Sequence, residues 1–164
     1  MRKATKVVAI AAIGIAAGPV LASSVSAPMA VSITVENACT VSPATMDFGT
    51  GMNGATTNVN VFMTLNCASG VAYNVAMDAG LHYDGSFRRM TDDNGGYVQY
   101  TISKPDFSGD WGDSDAIANT YPAGTSVSGV GTGSDTTLQV NGSAFTYGRP
   151  PGSYSDTVTI SVLF

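Results

Sequence analysis

The residues that could carry out chemistry in this chain are few, and their spacing matches no catalytic pattern. His82 is the single histidine, and no nucleophile elbow, phosphate loop or metal-ligand spacing of His and Cys accompanies it. The run Gly129–Gly133 resembles a nucleotide-binding loop, but no helical pattern follows it, which favours a flexible linker between strands. We therefore expect His82 in a solvated loop, and we expect neither an enzyme nor a bound cofactor.

A second candidate for chemistry is an acidic stretch that contains Asp106, Asp110, Asp113 and Asp115. Hard carboxylate oxygens at this density could hold a calcium ion. The spacing lacks the rest of a known calcium loop, so a solvated acidic turn is the preferred interpretation and no metal site is predicted. Trp111 lies in the same stretch, and packing of its large ring in the core or in a groove is favoured over exposure.

The first 22 residues have the pattern of a secretory signal. Three basic residues precede an apolar run over residues 7–17, and residues 20–22 form a small-residue cleavage pattern, with cleavage after Ser26 as an alternative. The apolar run is shorter than the roughly 20 residues that a membrane span requires. The exported chain of about 140 residues is long enough for one domain with its own core.

The exported chain is strongly acidic. Removal of the signal leaves four basic residues against twelve acidic ones, a net charge of −8. This balance argues against nucleic acid or an anionic membrane as the partner.

The two cysteines, Cys39 and Cys67, lie in a chain that is predicted to be exported. An intramolecular disulfide is therefore the expected state, with two buried free thiols as the alternative. Closing a loop of this size would restrict the unfolded chain by about 3.5 kcal/mol. A structural bond explains both cysteines without a catalytic role.

Alternating apolar residues after the signal predict an all-β domain with short strands. Asn141–Ser143 is formally a glycosylation sequon, and a hairpin turn explains it better. The predicted strands cover residues 29–35, 39–41, 56–67, 71–77, 88–90, 97–103, 136–140 and 155–164, with short extended pieces at 46–48 and 145–147. Strands in this order suggest a Greek-key sandwich.

The strands predicted at the two ends of the exported chain pose the main question of function. The last strand has one apolar face and nothing after it to pair with: Val158, Ile160, Val162 and Phe164. The first strand has the same alternation at a free chain end: Met29, Val31, Ile33 and Val35. A sandwich that ends in mid-core needs one more strand, either from its own N-terminus or from a neighbouring molecule.

Several short motifs, taken in order, make the chain similar to a known family. They are Cys39–Ser42, Asp47–Gly49, Leu65–Gly70, Tyr73–Val75, Arg89–Met90, Tyr97–Tyr100, Trp111–Gly112, Tyr147–Arg149 and Gly152–Val158. In order and spacing they resemble the spore coat protein U domain, a family that includes pilins of the archaic (Csu-type) chaperone-usher pathway. The resemblance covers the whole exported chain and departs from the usual pattern between Asp106 and Gly133.

The resemblance implies an incomplete immunoglobulin-like Greek-key sandwich that lacks its last strand. Residues 1–22 would be the signal, 23–36 a donor-strand extension and 37–164 the pilin-like domain. In this family a periplasmic chaperone lends the missing strand, and an outer-membrane usher exchanges it for the N-terminal extension of the next subunit. Residues 29–35 would then be the donor, and residues 157–164 would form one wall of the acceptor groove.

We therefore expect a secreted structural subunit of a surface fibre that polymerises by donor-strand exchange with neighbouring pilin subunits. A non-polymerising secreted coat or matrix protein, in which residues 29–35 fill their own groove, is the main alternative. A carbohydrate-binding or calcium-binding module is a third class, which the sequence supports little. The chain is too short for the additional receptor domain of a tip adhesin, which favours a shaft or minor subunit.

Overall fold

A computed structural model describes residues 23–42, 44–92, 94–113 and 126–164. The predicted signal, residues 1–22, lies outside the described residues. The chain divides into two units at Thr34 and Val35. Of the first unit, residues 23–34 are described, and they form no strand. The predicted strand over residues 29–35 is therefore absent from the isolated chain, because an alternating segment forms a strand only when it has a partner to bond.

Among its described residues, the second unit, Val35–Phe164, contains eight strands, and their pairings are antiparallel. Their bounds are β1 Cys39–Val41, β2 Thr56–Cys67, β3 Ala72–Met77, β4 Arg88–Thr91, β5 Tyr97–Ser103, β6 Val127–Val130, β7 Asp135–Phe145 and β8 Ile160–Leu163. The all-β prediction is confirmed. In the part of the chain that the structure describes, no helix is long and apolar enough to cross a membrane.

The strands form two sheets. One sheet has the order β1-β2-β7-β5-β4, and the other has the order β6-β3-β8. Along β2, every second residue from Val59 to Leu65 points into the core, as the alternation of apolar residues predicts. The core is built from inward side chains of both sheets, chiefly Met63, Leu65, Val75, Met77, Val98, Tyr100, Ile102 and Val140, together with Trp111 from the loop after β5.

Two predictions about the second half of the chain are wrong. Asn141–Ser143 is not a hairpin turn but the middle of β7, which runs beside β2 from Asp135 to Phe145. The buried Asn141 Nδ2 donates to the Lys104 carbonyl at 2.8 Å, so its side-chain amide is paired inside the sheet. The polar sequence indicated a turn because such a long-range partner cannot be seen from local residue types.

The other prediction, a flexible linker at residues 129–133, is wrong for its first two residues, while residues 131–133 do connect two strands. Residues 127–130 form β6, which pairs with β3, and Gly129 lies opposite Tyr73. A side chain at Gly129 would collide with the Tyr73 ring, so glycine is required here for close approach rather than for flexibility. Because glycine is unfavourable inside strands, the glycine-rich sequence predicted a linker instead of β6.

Candidate functional site

An apolar groove opens between β8 and the extended segment of residues 44–48. Its cavity volume is about 240 Å³. Both sheets contribute to its lining: Ala44, Met46, Phe48, Val61, Met77, Met90, Tyr100, Ile102, Val140, Tyr154, Ser155, Asp156, Val158 and Ile160. A larger depression of about 530 Å³ adjoins the groove and shares Met46, Phe48, Met90 and Tyr154 with it. The groove is therefore lined by core side chains from both sheets, among them Met77, Tyr100 and Ile102.

The first wall of the groove is the edge of the three-stranded sheet. β8 pairs with β3 on one side, and no other described strand pairs with it. The Asp78 N–H donates to the Thr159 carbonyl at 3.0 Å, so Thr159 and Ser161 use their backbone groups toward β3. Because antiparallel pairing alternates, the N–H and C=O groups of Val158, Ile160 and Val162 point away from β3, toward the groove. This edge offers a row of backbone groups to another strand.

The second wall is the segment of residues 44–48. Ala44, Met46 and Phe48 are half-buried, while the residues between them are exposed, which is the burial pattern of a strand. No backbone–backbone hydrogen bond joins residues 44–48 to any other described residue. Gly142 of β7 makes room for this wall, since a side chain there would collide with the Met46 sulfur and lie 3.0 Å from Phe48 Cζ. Both walls thus have the alternation of strands, and among the described residues no strand pairs with the edges that face each other.

One end of the groove is polar. The Asp156 side chain is only 2% exposed, and its Oδ2 accepts a hydrogen bond from the Tyr100 hydroxyl at 2.6 Å. Its Oδ1 lies 2.9 Å from His82 Nδ1 and accepts a bond from the Leu81 N–H at 3.0 Å. Burial, and next the bond to Asp156, raise the pKa of Tyr100 well above its usual range, so its hydroxyl stays protonated. This network ties the start of the last strand to the loop after β3.

The four predicted acceptor residues differ in how far they are buried. Val158, Ile160 and Val162 are half-buried and pack against the core. Phe164 follows β8 and is 59% exposed. Three of the four predicted side chains are therefore already in contact with the core, whereas Phe164 still exposes an aromatic ring.

The predicted donor residues are all exposed in the single chain. Met29, Val31, Ile33 and Val35 have between 81% and 86% of their surface open to solvent. Four large apolar side chains in one alternating row are costly to leave in water. The row is therefore an exposed apolar stripe in the single chain.

The predicted disulfide is present. Cys39 and Cys67 are joined at an Sγ–Sγ distance of 2.06 Å, and they lie opposite each other where β1 pairs with β2. The bond attaches β1, which directly follows residues 35–38, to the long strand β2. It thereby anchors the point at which the exposed row leaves the domain.

The structure also describes most of the acidic stretch, together with Trp111 and His82. Among the described residues, no group of three or more His, Cys, Asp or Glu side chains is placed to hold a metal ion, and Asp115 lies outside those residues. Trp111 is fully buried and donates from Nε1 to the Val75 carbonyl at 2.9 Å, so the prediction of core packing is confirmed. His82 lies in the loop after β3, as expected; its side chain is 40% exposed and contacts Asp156.

Sequence reasoning missed the role of Arg88. It is fully buried, and its guanidinium donates to the carbonyls of Met77, Asp78 and Trp111. It therefore holds together the end of β3, the start of β4 and the Trp111 loop, behind the polar end of the groove. The pair Arg88–Arg89 at a strand start was the available signal, but nothing local shows which arginine points inward.

The comparisons with known proteins agree with this geometry. The model of the Spore Coat Protein U domain matches residues 25–161. The chain belongs to the spore coat protein U domain family. No curated protein matches it in sequence.

Solved structures of pilus subunits share the fold. One is a chain of the CsuC–CsuE chaperone-tip adhesion subunit pre-assembly complex from archaic chaperone-usher Csu pili of Acinetobacter baumannii, with a TM-score of 0.57 and 23% identity. The alignment covers 80% of this chain and 40% of that chain. Another is the P pilus rod subunit PapA, with a TM-score of 0.54, 12% identity, and coverage of 76% of this chain and 97% of that chain. The immunoglobulin-like fold of pilus subunits is thus the fold of this chain.

Proposed function

We propose that this protein is a non-enzymatic structural subunit of a cell-surface fibre and that it polymerises by donor-strand exchange. The observation that carries this proposal is the edge of β8, with which no described strand pairs, beside an apolar groove. The same chain presents an exposed alternating apolar row at residues 29–35. Strand addition to a sheet edge is a general recognition mode, in which backbone bonds give affinity and side-chain pockets give register.

The donated strand would lie between residues 44–48 and β8, antiparallel to β8. Antiparallel pairing with β8 extends the pattern that the sheet already has and is slightly more stable than parallel pairing. The backbone groups of Val158, Ile160 and Val162 would then gain partners. Four inserted side chains of Val, Ile and Met size would contribute about 6–12 kcal/mol, comparable with the stability of a whole domain.

The proposed partners follow from this incompleteness. Each subunit offers a groove in one place and a strand in another, so the contact is head-to-tail and builds an open filament. Before assembly the groove would be covered by a periplasmic chaperone, and an outer-membrane usher would direct the exchange. The chain would be secreted through the periplasm to the cell surface, with residues 1–22 as its signal.

A self-complemented secreted coat protein is the second candidate, because the same exposed row could in principle serve its own groove. Chain length argues against it. Only three residues separate Val35 from Cys39, and Cys39 is fixed to β2 by pairing and by the disulfide. A donor that ends at Val35 has little chain with which to turn back.

Size-exclusion chromatography after periplasmic expression separates the two candidates. The full chain and a chain without residues 27–36 would each be expressed with and without an archaic-type chaperone. Donor-strand exchange predicts polymers from the full chain, and soluble truncated chain only when chaperone is bound. A folded monomer from the full chain that is lost on truncation would replace the fibre subunit with the self-complemented protein.

A further inference from the structure

We propose that one end of the domain binds the donating copy outside the groove, and that Arg149 at this end pairs with Glu36 of that copy. The turns at residues 49–53 and 147–153 form this end and are called the end surface. The inference rests on the proposed function. It adds a second contact between neighbouring copies, which the donated strand itself does not supply.

The end surface consists of two turns that border the depression of about 530 Å³ beside the groove. The Gly148 N–H donates to Asn53 Oδ1 at 2.9 Å, which joins the two turns. Met52 is 78% exposed and Tyr147 is 64% exposed. Two large side chains with apolar surface therefore lie in neighbouring turns, and a second domain placed against this end would remove that surface from water.

The direction of the donor brings the next copy to this end. A donor that is antiparallel to β8 runs from Phe164 toward Tyr154, and Tyr154 lines both the groove and the depression. The chain that follows Val35 therefore leaves the groove at the end surface. From Val35 to Cys39 the chain can span at most about 14 Å, and Cys39 already belongs to β1 of the donating domain. That domain must therefore lie beside the end surface.

The short connection between the donor and its domain carries an acidic side chain without a partner. Glu36 is the single charged residue among positions 23–46. It is exposed, and its side chain makes no hydrogen bond or ion pair with any described residue of its own chain. Because Glu36 follows Val35 directly, its carboxylate would emerge from the groove at the end surface.

The end surface carries the matching base. Arg149 lines the depression, and its guanidinium carbon lies 3.9 Å from the centre of the Tyr97 ring. Its side chain has no hydrogen bond or ion pair with any described residue. Of its three side-chain nitrogens only Nε is fully buried, so Nη1 and Nη2 are open to a carboxylate. Stacking on the Tyr97 ring orders the guanidinium for this contact.

One acidic residue competes with Arg149 for the sign of the local charge. Among the described residues that line the depression, Arg149 is the single base and Asp47, which is exposed, is the single acid. The nearby Asp92 and Asp156 do not line it. Asp47 would repel Glu36, whereas Arg149 would attract it. The sign of the effect of reversing Glu36 therefore shows which of the two residues it faces.

Charge reversal tests the pair directly. Polymers of E36R, of R149E and of the double variant would be dissociated in urea at low ionic strength, and size-exclusion chromatography would give the dissociation rates. An exposed pair of opposite charges changes an equilibrium by up to about fivefold. Each single reversal, which also adds repulsion, should therefore raise the dissociation rate by about fivefold. The double variant should return to the wild-type rate, and added salt should remove the differences.

A mixture of the two single variants separates a contact between copies from an effect within one copy. Where E36R and R149E chains alternate, every contact again joins opposite charges, so mixed polymers should regain the wild-type rate. The matched control is E36R mixed with R89E, since Arg89 stacks on the same Tyr97 ring but does not line the depression. Glu36 lies outside the strands, so E36R remains informative if R149E fails to fold.

The apolar part of the end surface has its own matched pair of variants. Tyr147→Ser should raise the dissociation rate, whereas Phe62→Ser, which removes an equally exposed ring from the outer face of β2, should not. E36R polymers at least as stable as the wild type would overturn the inference. Rescue of E36R by R89E, or equal effects of the two serine variants, would overturn it as well. Absence of polymers from the wild-type chain would instead overturn the proposed function.

Discussion

Truncation of Ile33 to alanine should weaken the contact between subunits without destabilising the subunit. Ile33 is 86% exposed in the single chain, and substitutions at such sites change the free energy of unfolding by no more than about 0.5 kcal/mol. In the fibre the same side chain would be buried in the groove of the neighbouring subunit. The substitution removes three carbon groups at about 0.8 kcal/mol each, or about 2.4 kcal/mol, which corresponds to about a 60-fold weaker contact.

The assay is dissociation of purified polymers at increasing guanidinium concentration, followed by size-exclusion chromatography. Ser32→Ala is the matched control, because Ser32 lies on the opposite face of the donor and is equally open in the single chain. Fluorescence of the single, buried Trp111 would report folding of the chaperone-released subunit separately. If I33A and S32A polymers dissociated alike, or if I33A lowered the stability of the subunit itself, the reasoning would be refuted.

Three further predictions concern the groove and its anchors. Gly142→Ala should destabilise the domain by about 1–3 kcal/mol in urea unfolding, because the new methyl group displaces Met46 and Phe48 from β7. Burial raises the pKa of Tyr100 above its unfolded value near 10. The stabilisation by the protonated hydroxyl is therefore complete below pH 10 and is lost as the pH rises toward the folded pKa. Tyr100→Phe should flatten the decline of melting temperature above pH 10. Replacing both Cys39 and Cys67 by serine should lower the free energy of unfolding by about 3.5 kcal/mol, measured by chemical denaturation with the reduced wild-type chain as control.

The fold class and most strands could be predicted because their signals are local. Alternation along β2 and β5 specifies strands with one buried face, and two cysteines in an exported chain specify a disulfide. The apolar alternation of Val158, Ile160 and Val162 is local in the same way, and these side chains pack against the core; their role as an acceptor wall stays a prediction. These features require only knowledge of neighbouring residues.

The features that escaped prediction depend on distant partners. β6 was not predicted because its glycine at position 129 is required by the close Tyr73 ring of the neighbouring strand. The centre of β7 was not predicted because the Asn141 side chain finds its hydrogen-bond partner in the distant Lys104 carbonyl. The polar end of the groove joins Asp156 to Tyr100 and His82, which are 56 and 74 positions away in sequence. Tertiary contacts determine where polar groups of this kind are buried. From residue type alone they are predicted to lie in loops.

Amide hydrogen exchange of the last strand tests the central claim most directly. Mass spectrometry would follow peptides covering residues 155–164 in assembled full-length polymers and in the full chain carrying Ile33→Asp, which should be unable to donate its strand. The account predicts that the amides of Val158, Ile160 and Val162 exchange slowly in the polymer and rapidly in the variant, because only a donated strand pairs with them. Equal exchange in the two samples would show that the β8 edge takes no part in assembly.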